Sequence, residues 1–440
     1  MTRKMKDSGV EWIGEIPEDW DISKIKYCTV KIGSGKTPKG GSEVYSTEGV
    51  LFIRSQNVYD TGLRLDEVSY ISDDIDKEMQ GTRVYYNDVL LNITGASIGR
   101  SCIYLVEDQY ANVNQHVCII RTNQDLVLPK YMNYFWMSPA GKTSIDIFQS
   151  GANREGMNFE QIANTFIPYS SIKEQEKIVN YLDRKCLKID ETIEREKQVI
   201  EKLKAYKQSV ITEVVTKGLN PDVQMKESGI EWIGKIPEHW NLIRLRYIAK
   251  CQNGISKSAE FFGTGFPFVS YGDVYKNIVL PELVEGLVES TESDRKAYSV
   301  EEGDIFFTRT SETIEEIGLT CVCEKTIENA TFAGFLIRVR PFMDNLVLNF
   351  SKYYFSSNIH RRFFVKEMNL VTRASLSQEL LKKLPVLMPP IEEQDRIANY
   401  LDDKCSKIDN TITQKEKLIQ KLTDYKKSLI FECVTGKMEV

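Results

Sequence analysis

The sequence predicts an α+β protein of two β-rich domains joined by two long helices, the helices forming an antiparallel coiled coil with pseudo-twofold character. Three observations predict it: the chain is written twice, each copy carries short β-type runs, and each copy closes on an unbroken heptad pattern. The boundaries fall at 1–172 for the first β-rich domain, 173–218 for the first helix, 219–391 for the second domain and 392–440 for the second helix.

The duplication is read directly. "MKDSGVEWIGEIPEDW" from Met5 returns as "MKESGIEWIGKIPEHW" from Met225, and the block from Glu174 to Thr216 returns from Glu393 to Thr435 with about half of its positions identical. Between these blocks the likeness thins to landmarks: Asp88 with Asp304, Ile98-Gly99 with Ile317-Gly318, and Arg154 with Arg373. A period of roughly 219 residues is too long for a solenoid repeat, so each copy contains a folded domain and an appended element.

The β-rich regions show as short apolar runs broken by Gly, Asn and Asp: "GVLFIRSQNV", "NDVLLNIT", "RSCIYLV" and "QHVCIIRT", then "GFPFVSYGDV", "GDIFFTRT", "LTCVCE" and "FAGFLIRVR". A helix is expected near "PKYMNYFWMS". In the repeated blocks, Val179, Cys186, Ile193, Ile200, Lys207 and Val214 take heptad position a, and Leu182, Ile189, Glu196, Leu203 and Val210 take d. The second copy places Leu401, Ile408, Lys415 and Leu422 at d. Each helix is about 65 Å long at 1.5 Å per residue, and an apolar spine of that length needs a partner. Antiparallel pairing about mid-helix sets Glu196 against Lys415 and brings Leu182 towards Leu429 and Leu203 towards Ile408.

Composition bounds the function. A formal charge of −6 argues against non-specific coating of nucleic acid. Nine scattered cysteines form no C-x-x-C pair, and the three histidines, His116, His239 and His360, match no metal spacing. The opening "MTRKMKDSGVEW" lacks a basic region followed by an apolar run, and no stretch approaches membrane-spanning length, so a cytoplasmic protein is expected. The GSGKT within "KIGSGKTPKGG" invites a P-loop reading and hence a nucleotide-dependent enzyme. A P-loop needs G-x-x-x-x-G-K-[ST], yet Val30 stands where the first glycine belongs and Pro38 where the helix should begin. The second copy, "KCQNGISKSAE", has no GKT. The only Pro-Pro, Pro389-Pro390, lacks the flanks of an amino-methyltransferase tetrapeptide, and no Ser-His-Asp set stands out. No catalytic, cofactor-binding or metal-binding residue is assigned.

The duplicated openings "GEIPEDW" and "GKIPEHW", the turns at Gly99 and Gly318, and the exits "PYSSIKEQEKIVNYLD" and "PPIEEQDRIANYLD" together resemble the specificity subunit of type I restriction-modification systems, over nearly the whole chain. The resemblance implies two target recognition domains, each reading half of an asymmetric bipartite double-stranded DNA site. It implies a helix pair that docks two methyltransferase (modification) subunits and, through them, restriction/translocase subunits. The chain itself is then a non-catalytic part of a DNA methylation and host-defence complex. S-adenosylmethionine, ATP and Mg are expected on those partners, and the methylated adenine flips into a partner's pocket.

On that reading, Gly35, Lys36 and Thr37, with Gly254, Ser256 and Lys257 in the second copy, can approach a DNA backbone closely; a plain turn has the same composition. For base reading, arginine suits guanine and Asn or Gln suits adenine. The candidates in the first domain are Arg54, Ser55, Gln56 and Asn57; Thr94, Ser97 and Arg100; Asn114, Gln115 and His116; and Asn153 and Arg154. In the second they are Ser270, Tyr271 and Asp273; Arg309, Thr310, Ser311 and Glu312; and Thr372 and Arg373. Residue type alone does not separate base readers from structural polar groups. A duplicated coiled-coil scaffold that uses the heptads without reading DNA is the competing class.

Overall fold

An ion pair between a buried aspartate and a partly exposed arginine sits at the start of a central strand in each β-rich domain. Asp88, 1% exposed, accepts from Arg121 Nε and Nη2 at 2.7 Å each, and Asp304, fully buried, accepts from Arg340 Nε and Nη2 at 2.6 Å each. The computed structural model in which these contacts are seen describes residues 3–149, 156–311, 316–342, 346–367 and 374–440. Packing divides the chain into two units, Met1–Lys197 with Glu416–Val440, and Gln198–Lys415.

In the first unit a four-stranded antiparallel sheet runs Ser101–Ile103, Val89–Asn92, Val117–Thr122, Thr29–Ser34 in spatial order. Its strands are apolar on both faces because both faces are covered. Val89, Leu91, Cys118 and Ile120 face a core containing Tyr131, Phe135 and Trp136, while Leu90, Cys102, Val117 and Ile119 face a second sheet. That sheet runs Ser69–Ile71, Val50–Ile53, Ala111–Val113, Arg83–Val84, with Val50–Ile53 parallel to Ala111–Val113. The expected helix is Pro129–Met137, which starts on a proline at a position whose N–H has no helical partner in any case.

The second unit repeats this plan. Its central sheet runs Thr320–Val322, Ile305–Thr308, Leu336–Pro341, Ala249–Asn253. Its second sheet again has one parallel pair, Phe262–Val269 with Thr331–Phe332. Ile305 and Phe307 face one core, Phe306 the other.

The long helices are Ile172–Lys217 and Ile391–Val434, 46 and 44 residues, about 65–70 Å each at 1.5 Å per residue. Each unit takes the first part of one and the last part of the other, so the pairing within each unit is antiparallel. In the first unit Val179, Leu182, Cys186 and Ile189 share a core with Leu429, Ile430 and Cys433, and Lys426 meets Asp190 at 2.6 Å. In the second, Val210, Ile211 and Val214 share a core with Ile397, Leu401 and Cys405, and Lys207 meets Asp409 at 2.6 Å. Lys207, at heptad position a, and Lys426, its counterpart in the repeat, thus reach out of the seam to an acid on the facing helix, keeping an apolar stem inside. Ile408 is buried, and Glu196, Leu203, Lys415 and Leu422 are half-buried.

The repeated motifs meet one another. Trp20 Nε1 donates to Glu174 at 3.1 Å and Trp240 Nε1 to Glu393 at 3.0 Å, so each opening tryptophan is tied to the first turn of the long helix that follows its own domain. The next residue, Gln175 or Gln394, is fully buried and accepts from Leu128 or Val347 at the head of the short helix packed on the sheet. Asp183 and Asp402 of the "YLD" triplets accept from Tyr134 and Tyr353 of that same helix. Gly436 and Gly218, in left-handed conformation beyond the ends of the long helices, lie against Trp20 and Trp240 respectively.

Candidate nucleic-acid interface

The opening loop leaves the edge strand Thr29–Ser34 at Gly35 and crosses the end of Ala111–Val113 so closely that an added Cβ would stand 1.5 Å from the Val113 carbonyl oxygen. Only glycine fits. Residues 36–38 carry no helix, so the loop has none of the helix that a P-loop needs. Beyond the crossing, Lys36 and Thr37 are exposed. Thr37 bonds Gln115 Oε1, Gln115 Nε2 lies 3.2 Å from His116 Nε2, and His116 Nδ1 lies 2.5 Å from Thr94 Oγ1. Four side chains from three segments distant in sequence therefore form one hydrogen-bonded row, with Gln115 exposed in it. Buried Asn114 supports the row by accepting from the His116 N–H at 3.1 Å.

Beside it, Asn92 Nδ2 donates to the Ser55 carbonyl at 2.8 Å and to Ser97 Oγ at 3.1 Å, joining two more of the expected loops. Asn57 is buried and bonds the Arg54 N–H and the Arg64 carbonyl, so it shapes the turn, whereas Gln56 is exposed. The Arg54 guanidinium lies 5.5 Å from the centre of the Tyr45 ring, and Arg100 and Arg64 lie 4.7 and 3.9 Å from that of Tyr59. Each is thereby a cation held on an aromatic face.

The second domain has the same backbone with different side chains. Ile93 N donates to His116 O and Arg309 N to Phe335 O; Asn114 N donates to Ile53 O and Ala333 N to Val269 O. These bonds equate Asn114-Gln115-His116 with Ala333-Gly334-Phe335. Gly254 makes the same crossing as Gly35, an added Cβ standing 2.1 Å from the Phe332 carbonyl oxygen. Ser256 is exposed, but Lys257 is taken by Asp294 at 2.9 Å. Ser270 and Asp273 cap the helix Tyr271–Lys276 reciprocally, so they are occupied as structure, whereas the first domain has only half of that device, Asn57 Oδ1 accepting from the Arg54 N–H. Tyr271 stacks on Tyr275 at 5.9 Å. Arg309 Nη1 donates to Gly334 O at 3.3 Å. Thr310 and Ser311 pair as a short strand with Ala374–Ser375. Asn153, Arg154, Glu312, Thr372 and Arg373 lie outside the described residues.

The profile of the type I restriction-modification DNA specificity domain matches residues 17–205 and again 237–424. The chain belongs to that family. It is a specificity subunit with two DNA recognition domains, one per copy of the repeat. It is 22% identical over 446 residues to the type I restriction enzyme EcoKI specificity subunit of Escherichia coli K12, covering 97% of this chain and 90% of that one. It is 21% identical to the StySPI specificity subunit of Salmonella potsdam, again covering 97% and 90%. Its fold matches the HsdS subunit from Thermoanaerobacter tengcongensis with a TM-score of 0.54 at 15% identity, over 96% of this chain and 98% of that one. A chain from a study of complex assembly and conformational transition in a type I R-M system matches with a TM-score of 0.73 at 15% identity, over 96% and 99%.

Sequence reasoning about these recognition domains missed Arg64, Tyr59 and Phe335. The first two lie on a small hairpin, Val58–Tyr59 with Gly62–Leu63, whose signal was the Asp-Thr-Gly turn between them. Phe335 was hidden because it reads as part of an apolar strand. All nine cysteines are buried free thiols, and burial pushes Cys118 up to about 12. Among the described residues no cluster of three or more His, Cys, Asp or Glu is arranged to hold a metal ion, and no helix is long and apolar enough to cross a membrane.

Proposed function

We propose that this specificity subunit reads an asymmetric, two-part DNA site, one part per recognition domain, and presents that choice to two methyltransferase subunits and through them to restriction subunits. One observation carries the reading. The framework bonds recur pair for pair in the two domains, whereas the outward positions do not: Thr37, Gln115 and His116 become Ser256, Gly334 and Phe335. Identical frames with unlike reading edges select unlike half-sites. Arg54 and Arg100, held on tyrosine rings, suit guanine or phosphate, and Gln56 and Gln115 suit adenine.

The chain supplies recognition and no bond-making chemistry. S-adenosylmethionine, ATP and Mg belong to the partners, and the complex works in the cytoplasm. A gel shift of the chain with its methyltransferase subunits, on cognate and scrambled duplexes, tests this. Selective retention of the cognate duplex supports it, and partner binding without DNA selectivity would instead indicate a protein-only scaffold. Gln115→Ala should weaken discrimination by about 1–3 kcal/mol at one base pair of the first half-site and leave the second half-site as it was.

A further inference from the structure

Phe335 is 63% exposed, at the place where the first domain carries His116 in its hydrogen-bonded row. Its backbone is fixed. The Arg309 N–H donates to the Phe335 carbonyl at 2.9 Å, the Arg309 guanidinium to the Gly334 carbonyl at 3.3 Å, and Gly334 N–H to the Ile255 carbonyl at 2.8 Å. A Cβ at Gly334 would stand 2.4 Å from Ser256 Oγ, which would have to turn aside, and 3.1 Å from the Ile255 carbonyl oxygen. The hydrogen bonds therefore pin the backbone of the turn, which presents a ring with only two side-chain torsions to fix when a ligand arrives. Nothing in the fold requires that ring. The core on either side is completed by Phe332 and Leu336, both fully buried. Polar groups at the corresponding place in the first domain can exchange hydrogen bonds with base edges. A phenyl ring cannot, and the apolar group that a major-groove edge offers is the thymine methyl.

We propose that Phe335 is a specificity-determining residue of the second recognition domain, its ring meeting the 5-methyl group of a thymine in that domain's half-site. This rests on the reading of each domain as a half-site reader. The test uses the full chain in complex with its methyltransferase subunits and duplexes in which each thymine of the second half-site is replaced in turn by deoxyuridine, which removes only the methyl. One position should lose about four-fold in affinity, the value of one buried methyl or methylene group. Phe335→Ala should bind the thymine and uracil duplexes alike, at or below the wild-type affinity for uracil, while Phe335→Leu should keep part of the difference. A second half-site made only of G·C pairs, a flat uracil scan on the wild-type complex, or a methyl effect undiminished in a folded Phe335→Ala complex would each overturn the inference while half-site reading stands. If the wild-type complex fails to distinguish cognate from scrambled duplex, half-site reading itself falls and the inference with it.

Discussion

In the first recognition domain Asp88 holds Arg121, Trp20 holds Glu174 and Tyr134 holds Asp183; in the second, Asp304 holds Arg340, Trp240 holds Glu393 and Tyr353 holds Asp402. The loops carried by these frames diverge. Where the first has an exposed glutamine beside a histidine in a polar row, the second has a bare glycine beside an exposed phenyl ring. The difference teaches how one fold supports two specificities: groups that lock strand to helix are kept in duplicate, and those on the joining turns are free to change.

The strongest way to break the comparison is through the shared frame. Trp20→Ala and Trp240→Ala each empty a fully buried indole site and should cost about 3–5 kcal/mol in the unit that contains them. Denaturant unfolding followed by hydrogen exchange should show equal losses, each confined to its own unit. A severe effect in one and a mild effect in the other would mean that the frames are not equivalent.

The next effect separates the two units. His360 is buried in the second, with Nε2 3.0 Å from the Tyr354 carbonyl oxygen, and burial lowers its pKa from 6.5 to about 4. The corresponding residue of the first unit is Gly141, where a Cβ would stand 2.3 Å from the Phe135 carbonyl oxygen. Between pH 6.5 and 4 the unfolded chain binds a proton at this position and the folded chain does not, so the second unit loses stability as pH falls through that window. The loss is about 3 kcal/mol in all, with none above pH 7. Unfolding curves from pH 7.5 to 4 should show it, and His360→Phe should remove it.

The smallest effect concerns the helix pair. Lys207→Met and Lys426→Met each remove one partly exposed ion pair but keep the apolar stem, and each should cost about 1 kcal/mol or less, with the difference from wild type vanishing at 1 M salt.

Much of this frame was legible in the sequence because it is written twice. The heptads, the paired tryptophans and the Asp88–Asp304 landmark all stand in the duplicated positions, and the structure gives each a partner. The strands Ala111–Val113 and Thr331–Phe332 were not legible. They are too short to show a period, and their parallel pairing to a distant strand leaves no local signal. The site was legible only as loops. Asn57, Ser270 and Asp273 have the residue types of base readers and are instead occupied in capping their own turns. Gly35 and Gly254 signalled a close approach, but the neighbour they approach is a strand of their own domain.

The central claim is that two like frames carry two unlike reading edges, and single-molecule methylation sequencing of DNA modified by the complete complex tests it most directly. The account predicts a bipartite site whose two halves differ in sequence, with Gln115→Ala altering only one of them. A site whose halves are inverted copies of each other would contradict it.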